Sequence, residues 1–198
     1  MQLQPFFNCP PHDHNQLRSY IMTAVLVIDL QAIMFDGVES VPIHNATSLV
    51  DNTKHVLAWA RREALPVAFI RHEEDEGAMA PGAPGWHVWP ALGQNEATEP
   101  TFSKTVPDAF SNPALAKWLR DAGVSRLILL GAQTDCCVNA TTLGALGLDF
   151  DVTVVADAHS TWRFENDVAV DASPVIDAHN KAFASAGATL TTTNELVQ

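Results

Sequence analysis

The sequence predicts an α/β fold: three layers, α/β/α, built on a doubly wound, mainly parallel, Rossmann-like sheet. Three observations predict it. Short, nearly continuous apolar runs rich in Val, Ile and Leu recur along the chain, as strands buried on both faces require. Amphipathic segments of helical period separate them, and such alternation implies right-handed crossovers that cover both faces of a parallel sheet. The 198 residues are 47% apolar and 17% charged, enough for one sizeable core, with no second composition shift to mark a domain boundary.

The elements follow in order. Residues 1–21 are rich in Pro, His, Asn and Gln, carry no apolar period and are expected to form a loosely ordered extension. Met22, directly before the first strand, is a second candidate start, and residues 22–198 form the single expected domain. AVLVIDL, 24–30, is the first strand. In 45–64, Leu49, Thr53, Val56, Leu57, Ala60 and Ala64 share one stripe of a helix. PVAFIR, 66–71, is the second strand. In SNPALAKWLRDAG, 111–123, a polar cap precedes Pro113, and Gly123 stops a helix whose apolar side is Leu115, Trp118, Leu119 and Ala122. RLILLG, 126–131, is a strand, 137–148 a helix and DVTVVAD, 151–157, a strand. SPVIDAHNKAFASAG, 173–187, repeats the start and stop signals: Ser173 as cap, Pro174 opening, Val175, His179, Ala182 and Ala186 on one side, Gly187 ending. ATLTTT, 188–193, closes the sheet. Residues 72–110 break the alternation, and a Pro/Gly-punctuated, Trp-bearing segment of that length inside a compact domain is usually a functional loop.

Composition excludes several function classes. A net charge of −12 opposes binding to phosphate backbones or anionic membranes, so neither nucleic acid nor a membrane is an expected partner. No apolar stretch approaches the ~20 residues of a membrane span. The N-terminus lacks the basic start and apolar run of a secretion signal, which leaves the cytoplasm as the default location. Three cysteines cannot all pair internally, and a reducing compartment fits them better than a disulfide framework. No second ligand cluster with zinc spacing accompanies them, and no Gly-rich phosphate loop follows a strand.

In such folds ligands sit beyond the carboxyl ends of the strands. Asp29 ends an apolar strand, where a carboxylate is either a structural cap or partner to a buried cation, or a general base facing a polar site. Cys136 and Cys137 sit side by side in GAQTDCCVNAT, 131–141, where a strand gives way to a helix that Thr134 or Asp135 can cap. A helix N-terminus favours a thiolate, and its N–H groups can hold an oxyanion. Burial as small core residues is the competing reading. Spacing alone does not choose between the two sulfurs.

LVIDLQ around Asp29, the SKT lysine Lys104, and GAQTDCCVNAT followed by VVADAHST together resemble the isochorismatase-like cysteine hydrolases. That family includes nicotinamidases, N-carbamoylsarcosine amidohydrolases and other amidases. The resemblance runs from about Met22 to the C-terminus. Its G-x-x-T-D-x-C-V block falls on Thr134, Asp135, Cys136, Cys137 and Val138, which implies Cys137 as nucleophile and Cys136 as a packed, variable position. It implies Asp29 as base, Lys104 as the cation of the triad, and a cis peptide at Ala132–Gln133. The Gln133 N–H would then join the Cys137 N–H in an oxyanion hole.

Two departures narrow the chemistry. The nicotinamidase metal cluster, Asp-x-His plus a further His after the second strand, has no counterpart in IRHEEDEGAM, so no metal or other cofactor is expected. Family members that hydrolyse isochorismate generally lack the nucleophilic cysteine, which this chain keeps. Gln31, Phe35, His72, Trp86 and Trp162 are the expected substrate-binding residues, because apolar and aromatic walls with a few polar groups make small-molecule sites. Ordinary packing, an oligomer contact, or for His72 a place in a solvated acidic loop, competes with that role. The function expected is hydrolysis of a small carboxamide or ureido-like C–N bond through a thioester, by a homo-oligomer of unspecified order. The alternative is a small-molecule-binding or thiol redox-sensing module.

Overall fold

A computed structural model describes residues 22–198; the extension expected at 1–21 lies outside the described residues. Six strands form one parallel sheet. They are β1 (Met22–Ile28), β2 (Val67–His72), β3 (Thr101–Lys104), β4 (Val124–Ala132), β5 (Asp151–Ser160) and β8 (Thr189–Thr191), in the order β3-β2-β1-β4-β5-β8. A small antiparallel hairpin, β6 (Phe164–Glu165) with β7 (Val168–Ala169), stands apart from it. The helices are α1 (Ala46–Arg62), α2 (Pro113–Asp121), α3 (Asn139–Gly147), α4 (Ser173–Ala186) and α5 (Thr193–Leu196). Among the described residues no helix is long and apolar enough to cross a membrane.

The continuous apolar runs form strands because both faces of this sheet are covered. Leu26, Ile28, Leu127 and Leu129 pack with Leu115 and Leu119 of α2, Ala145 of α3 and Phe183 of α4. Val25, Val27, Phe69, Ile128 and Leu130 meet Leu49, Val56, Leu57 and Ala60 of α1 on the other face. Each such aliphatic side chain, fully withdrawn from water, contributes about 1.5–3 kcal/mol before the entropy of ordering is counted. The three-layer fold is thus the one the alternation predicted.

Five local expectations are corrected. The segment 72–110 is not free of regular structure, for β3 lies inside it as the sheet's edge strand and ends at Lys104. Its Thr-Phe-Ser-Lys run is short and only half-buried, so it carries none of the apolar continuity of the central strands. The helix expected from Cys137 instead opens with a separate turn, Thr134–Val138, in which Val138 N–H reaches back to the Gln133 carbonyl at 3.0 Å, a π-type bond. Neither Thr134 nor Asp135 caps α3, whose start has no side-chain cap. In α4 the core-facing side is set by Phe183, which is fully buried, while Ala182 and Ala186 are exposed; the bulkiest apolar group takes the core position. Ser173 does not cap α4 either, its own N–H being accepted by Asp171 Oδ1 at 2.9 Å.

Candidate active site

Strand order brings four distant segments to one edge. His72 pairs in register with Lys104 at the carboxyl ends of β2 and β3, Ile28 pairs with Ile70 on one side and with Gly131 on the other. Lys104, His72, Asp29 and the turn after β4 therefore stand in a row. Asp29, one residue past β1, has φ +49°, a left-handed conformation that Asp tolerates better than most residues.

The Lys104 ammonium is the centre of the cluster. Its Nζ lies 2.6 Å from Asp29 Oδ2, 3.2 Å from Cys137 Sγ and 3.4 Å from His72 Nδ1. The Lys104 side chain is 0% exposed, Asp29 is 1% exposed and Cys137 9%. Such charges are tolerated inside a protein only when paired and hydrogen-bonded. Asp29 Oδ2 meets that condition. Asp29 Oδ1, although buried, has no hydrogen-bond partner among the described residues.

These surroundings set the protonation states. Burial first, and then the Asp29 carboxylate, push the Cys137 thiol well above its ordinary range, with the Lys104 charge opposing them. The sulfur therefore rests as a thiol and needs a base to become a nucleophile. Burial, and next the Lys104 charge, lower the His72 pKa, against the carboxylates of Asp29, Glu74 and Glu73. Among the described residues, one group of His, Cys, Asp and Glu is compact enough to invite a metal ion. It is Asp29, His72 and Cys137, with donor atoms within 4.8 Å of one another. Lys104 already contacts all three, so the cluster carries a cation of the protein's own.

The turn that bears Cys137 is held from behind. Thr134 Oγ1 lies 2.8 Å from His159 Nδ1, whose Nε2 lies 2.9 Å from Asn180 Oδ1 in α4. Asp135 Oδ1 accepts the Thr161 hydroxyl at 2.6 Å. The Ala132–Gln133 peptide is cis, and the Gln133 carbonyl accepts the N–H groups of Cys136 and Val138. Of the two thiols, Cys137 is buried and touches Lys104, whereas Cys136 is exposed with its sulfur 4.0 Å from that of Cys137.

The expected pocket residues are dispersed. His72 belongs to the cluster. Gln31 is fully buried with its amide bonded to main chain: Nε2 donates to the carbonyls of His72 and Trp86, and Oε1 accepts the His72 N–H, each at 2.9 Å. Trp86 donates its indole N–H to Glu73 and lies under the Arg71 guanidinium, 3.3 Å from the ring centre. Phe35 stacks on Trp89 beside a groove of about 320 Å³ that none of Asp29, Lys104 and Cys137 lines. Trp162 donates to the Val41 carbonyl and borders a different cleft with His44 and Asp171. The Thr134–His159–Asn180 chain, the Thr161–Asp135 bond and the Gln31 clamp carry no signal in sequence, since each joins residues remote along the chain through ordinary side chains.

Comparison with known proteins gives a consistent picture. Residues 23–195 match the model of the Isochorismatase domain. Streptothricin hydrolase from Streptomyces noursei is 34% identical over 140 residues, 70% of this chain and 50% of that protein. A second streptothricin hydrolase from the same organism is covered to 54%, so the chain spans about half the length of these relatives. Ureidoacrylate amidohydrolase from Variovorax paradoxus (strain S110) is 26% identical over 170 residues, 69% of this chain and 68% of the relative. A crystal structure described as an isochorismatase hydrolase from Oleispira antarctica superposes with a TM-score of 0.80 at 30% identity, covering 90% of this chain and 97% of that one.

Proposed function

Because the chain belongs to the isochorismatase family, we propose that it is a cysteine hydrolase cleaving a small carboxamide or ureido-like C–N bond without a metal. One observation carries the reading. The Asp29 carboxylate has one oxygen held by Lys104 and the other buried without a partner among the described residues, beside a thiol kept protonated by its surroundings. A base with one free oxygen, a cation and a protonated sulfur are what nucleophilic catalysis needs.

Asp29 Oδ1 takes the Cys137 proton as Sγ attacks the carbonyl carbon, and the carbonyl π-bond pair moves to oxygen. The main-chain N–H groups of Gln133 and Cys137 hold that oxyanion. The oxyanion collapses, the C–N bond breaks, and Asp29 returns its proton to the departing nitrogen, releasing ammonia or an amine. Water then attacks the thioester while Asp29 takes one of its protons. The C–S bond breaks, and that proton goes back to the sulfur. Lys104 balances the carboxylate throughout and stabilises the thiolate as it forms. The ammonium's contacts with all three metal-capable donors support a reaction that needs no added cation. The name of one relative, a ureidoacrylate amidohydrolase, favours amide and ureido substrates.

Nitrogen release across a panel of small amides and ureido acids tests the reading. Cys137→Ala is expected to lower kcat/KM by at least about 10³-fold, and Cys136→Ala to leave it within a few-fold. Undiminished turnover in Cys137→Ala overturns the mechanism. A second reading, reversible thiol oxidation, draws on the exposed Cys136 sulfur 4.0 Å from its neighbour. Mild peroxide should then remove both thiols reversibly, whereas a hydrolase loses mainly one.

A further inference from the structure

We propose that His72 is a positioning residue: its Nδ1 lone pair accepts the third N–H of Lys104 and so aims the other two at Asp29 and Cys137. The inference rests on the hydrolase reading above and deepens it.

An ammonium has three donors and no acceptor. With the Lys104 side chain 0% exposed, no hydrogen can be left to bulk water. Two go to Asp29 Oδ2 at 2.6 Å and Cys137 Sγ at 3.2 Å, and the remaining neighbour is His72 Nδ1 at 3.4 Å. A ring nitrogen facing an ammonium must be an acceptor, so His72 is neutral with its proton on Nε2. The lowering of the His72 pKa by burial and by Lys104 agrees with that state. Without this acceptor, the ammonium would be left with an unsatisfied hydrogen in a dry site or would rotate, taking a hydrogen from the base or the sulfur.

The ring is not placed by chance. Gln31 grips the His72 main chain from both sides, N–H and C=O, each at 2.9 Å, and is itself fully buried. It stands two residues past Asp29. The base, through the chain it belongs to, and the histidine that steers its counter-cation are therefore tied to one another. The charged groups facing the ring are Lys104, Asp29, Glu73 and Glu74. Protonation of His72 would set two cations against one another and turn the acceptor into a donor, so the contact belongs to the neutral ring only.

Two variants and one measurement on the unaltered protein test the proposal. His72→Leu removes the acceptor and is expected to lower kcat by about 10- to 100-fold, the size of one hydrogen bond to a charged group, with KM within about three-fold. His72→Asn, which can present a carbonyl oxygen where Nδ1 stands, should recover most of kcat. It should also move the acid limb of the kcat–pH profile to lower pH, since it has no ring to protonate. Iodoacetamide alkylation of Cys137, followed by fragmentation of the peptide that carries both Cys136 and Cys137 and needing no substrate, should slow in the Leu variant and recover in the Asn variant. In the unaltered protein, ring ¹⁵N shifts at neutral pH should report an unprotonated Nδ1 and a protonated Nε2. A protonated Nδ1 overturns the proposal whether or not the variants fold. So does a Leu variant with unaltered kcat and alkylation rate. Assayed beside them, Cys137→Ala separates the two failures: if it keeps its activity the hydrolase reading falls, and if it is inactive while His72→Leu is unaffected, only the role of His72 falls.

Discussion

His159 shows what burial does to one titratable group. Asn180 Nδ2 donates to the Ala156 carbonyl, which leaves Oδ1 to accept from His159 Nε2–H, so Nδ1 accepts the Thr134 hydroxyl. Burial, the largest influence, lowers its pKa below the ordinary 6.5, with the Asn180 bond opposing. The folded state thus resists a proton that the unfolded chain accepts. The stability His159 contributes is fully present above 6.5 and is lost as pH falls below it. Urea denaturation at pH 7.5, 6.5 and 5.5 should show stability declining with acidity, and His159→Gln should flatten part of that decline. The other part belongs to His72, whose shift has the same sign; an unchanged slope in the variant would clear His159 of the effect. Asp29 and the cysteine pair drew notice from their places at element ends, whereas Lys104 drew notice only as part of a motif. His159 lies near the end of an apolar strand with nothing local to mark it as the support of the Cys137 turn.

At the scale of elements, β1 and β4 approach closely at Gly131. A Cβ there would fall 2.1 Å from the Ile28 carbonyl oxygen and 2.7 Å from its nitrogen, and the residue has φ +133°. Both the space and the conformation require glycine. Gly131→Ala is expected to destabilise the fold by about 3 kcal/mol or more, summing backbone strain and overpacking, as read from the urea midpoint. A loss below about 1 kcal/mol would mean that the two strands separate at little cost. The same crossing positions the turn of Cys137 against Asp29. Central strands were legible because burial on both faces leaves a continuous apolar signature. The edge strand β3 was not, being half-buried and four residues long. The caps of α3 and α4 failed as expectations because the polar side chains beside them bond across the fold: Thr134 to His159, Asp135 to Thr161 and Ser173 to His44.

For the whole molecule the governing quantity is a net charge of −12. Exposed pairs such as Lys117–Asp121 and Arg126–Asp151 each contribute about 0–1 kcal/mol, too little to offset long-range repulsion that is screened within about 10 Å at 0.1 M salt. Raising NaCl from 10 to 200 mM at pH 7.5 should lift Tm by about 2–4 °C, equivalent to about 1 kcal/mol for a chain of this size. A flat or falling Tm would show local pairs outweighing net charge. The sequence by itself determined the three-layer α/β class and the run of central strands and helices, because hydrophobic period is a local property that each segment carries alone. Element ends mark Asp29 and the cysteine pair, whereas Lys104 and the choice of Cys137 come from the family motif. Tertiary structure alone decided that their side chains meet, that Gln31 grips a histidine 41 residues away, and that Cys137 rather than Cys136 faces the ammonium. Those outcomes depend on strand order and register, which bring together groups that no local pattern can relate.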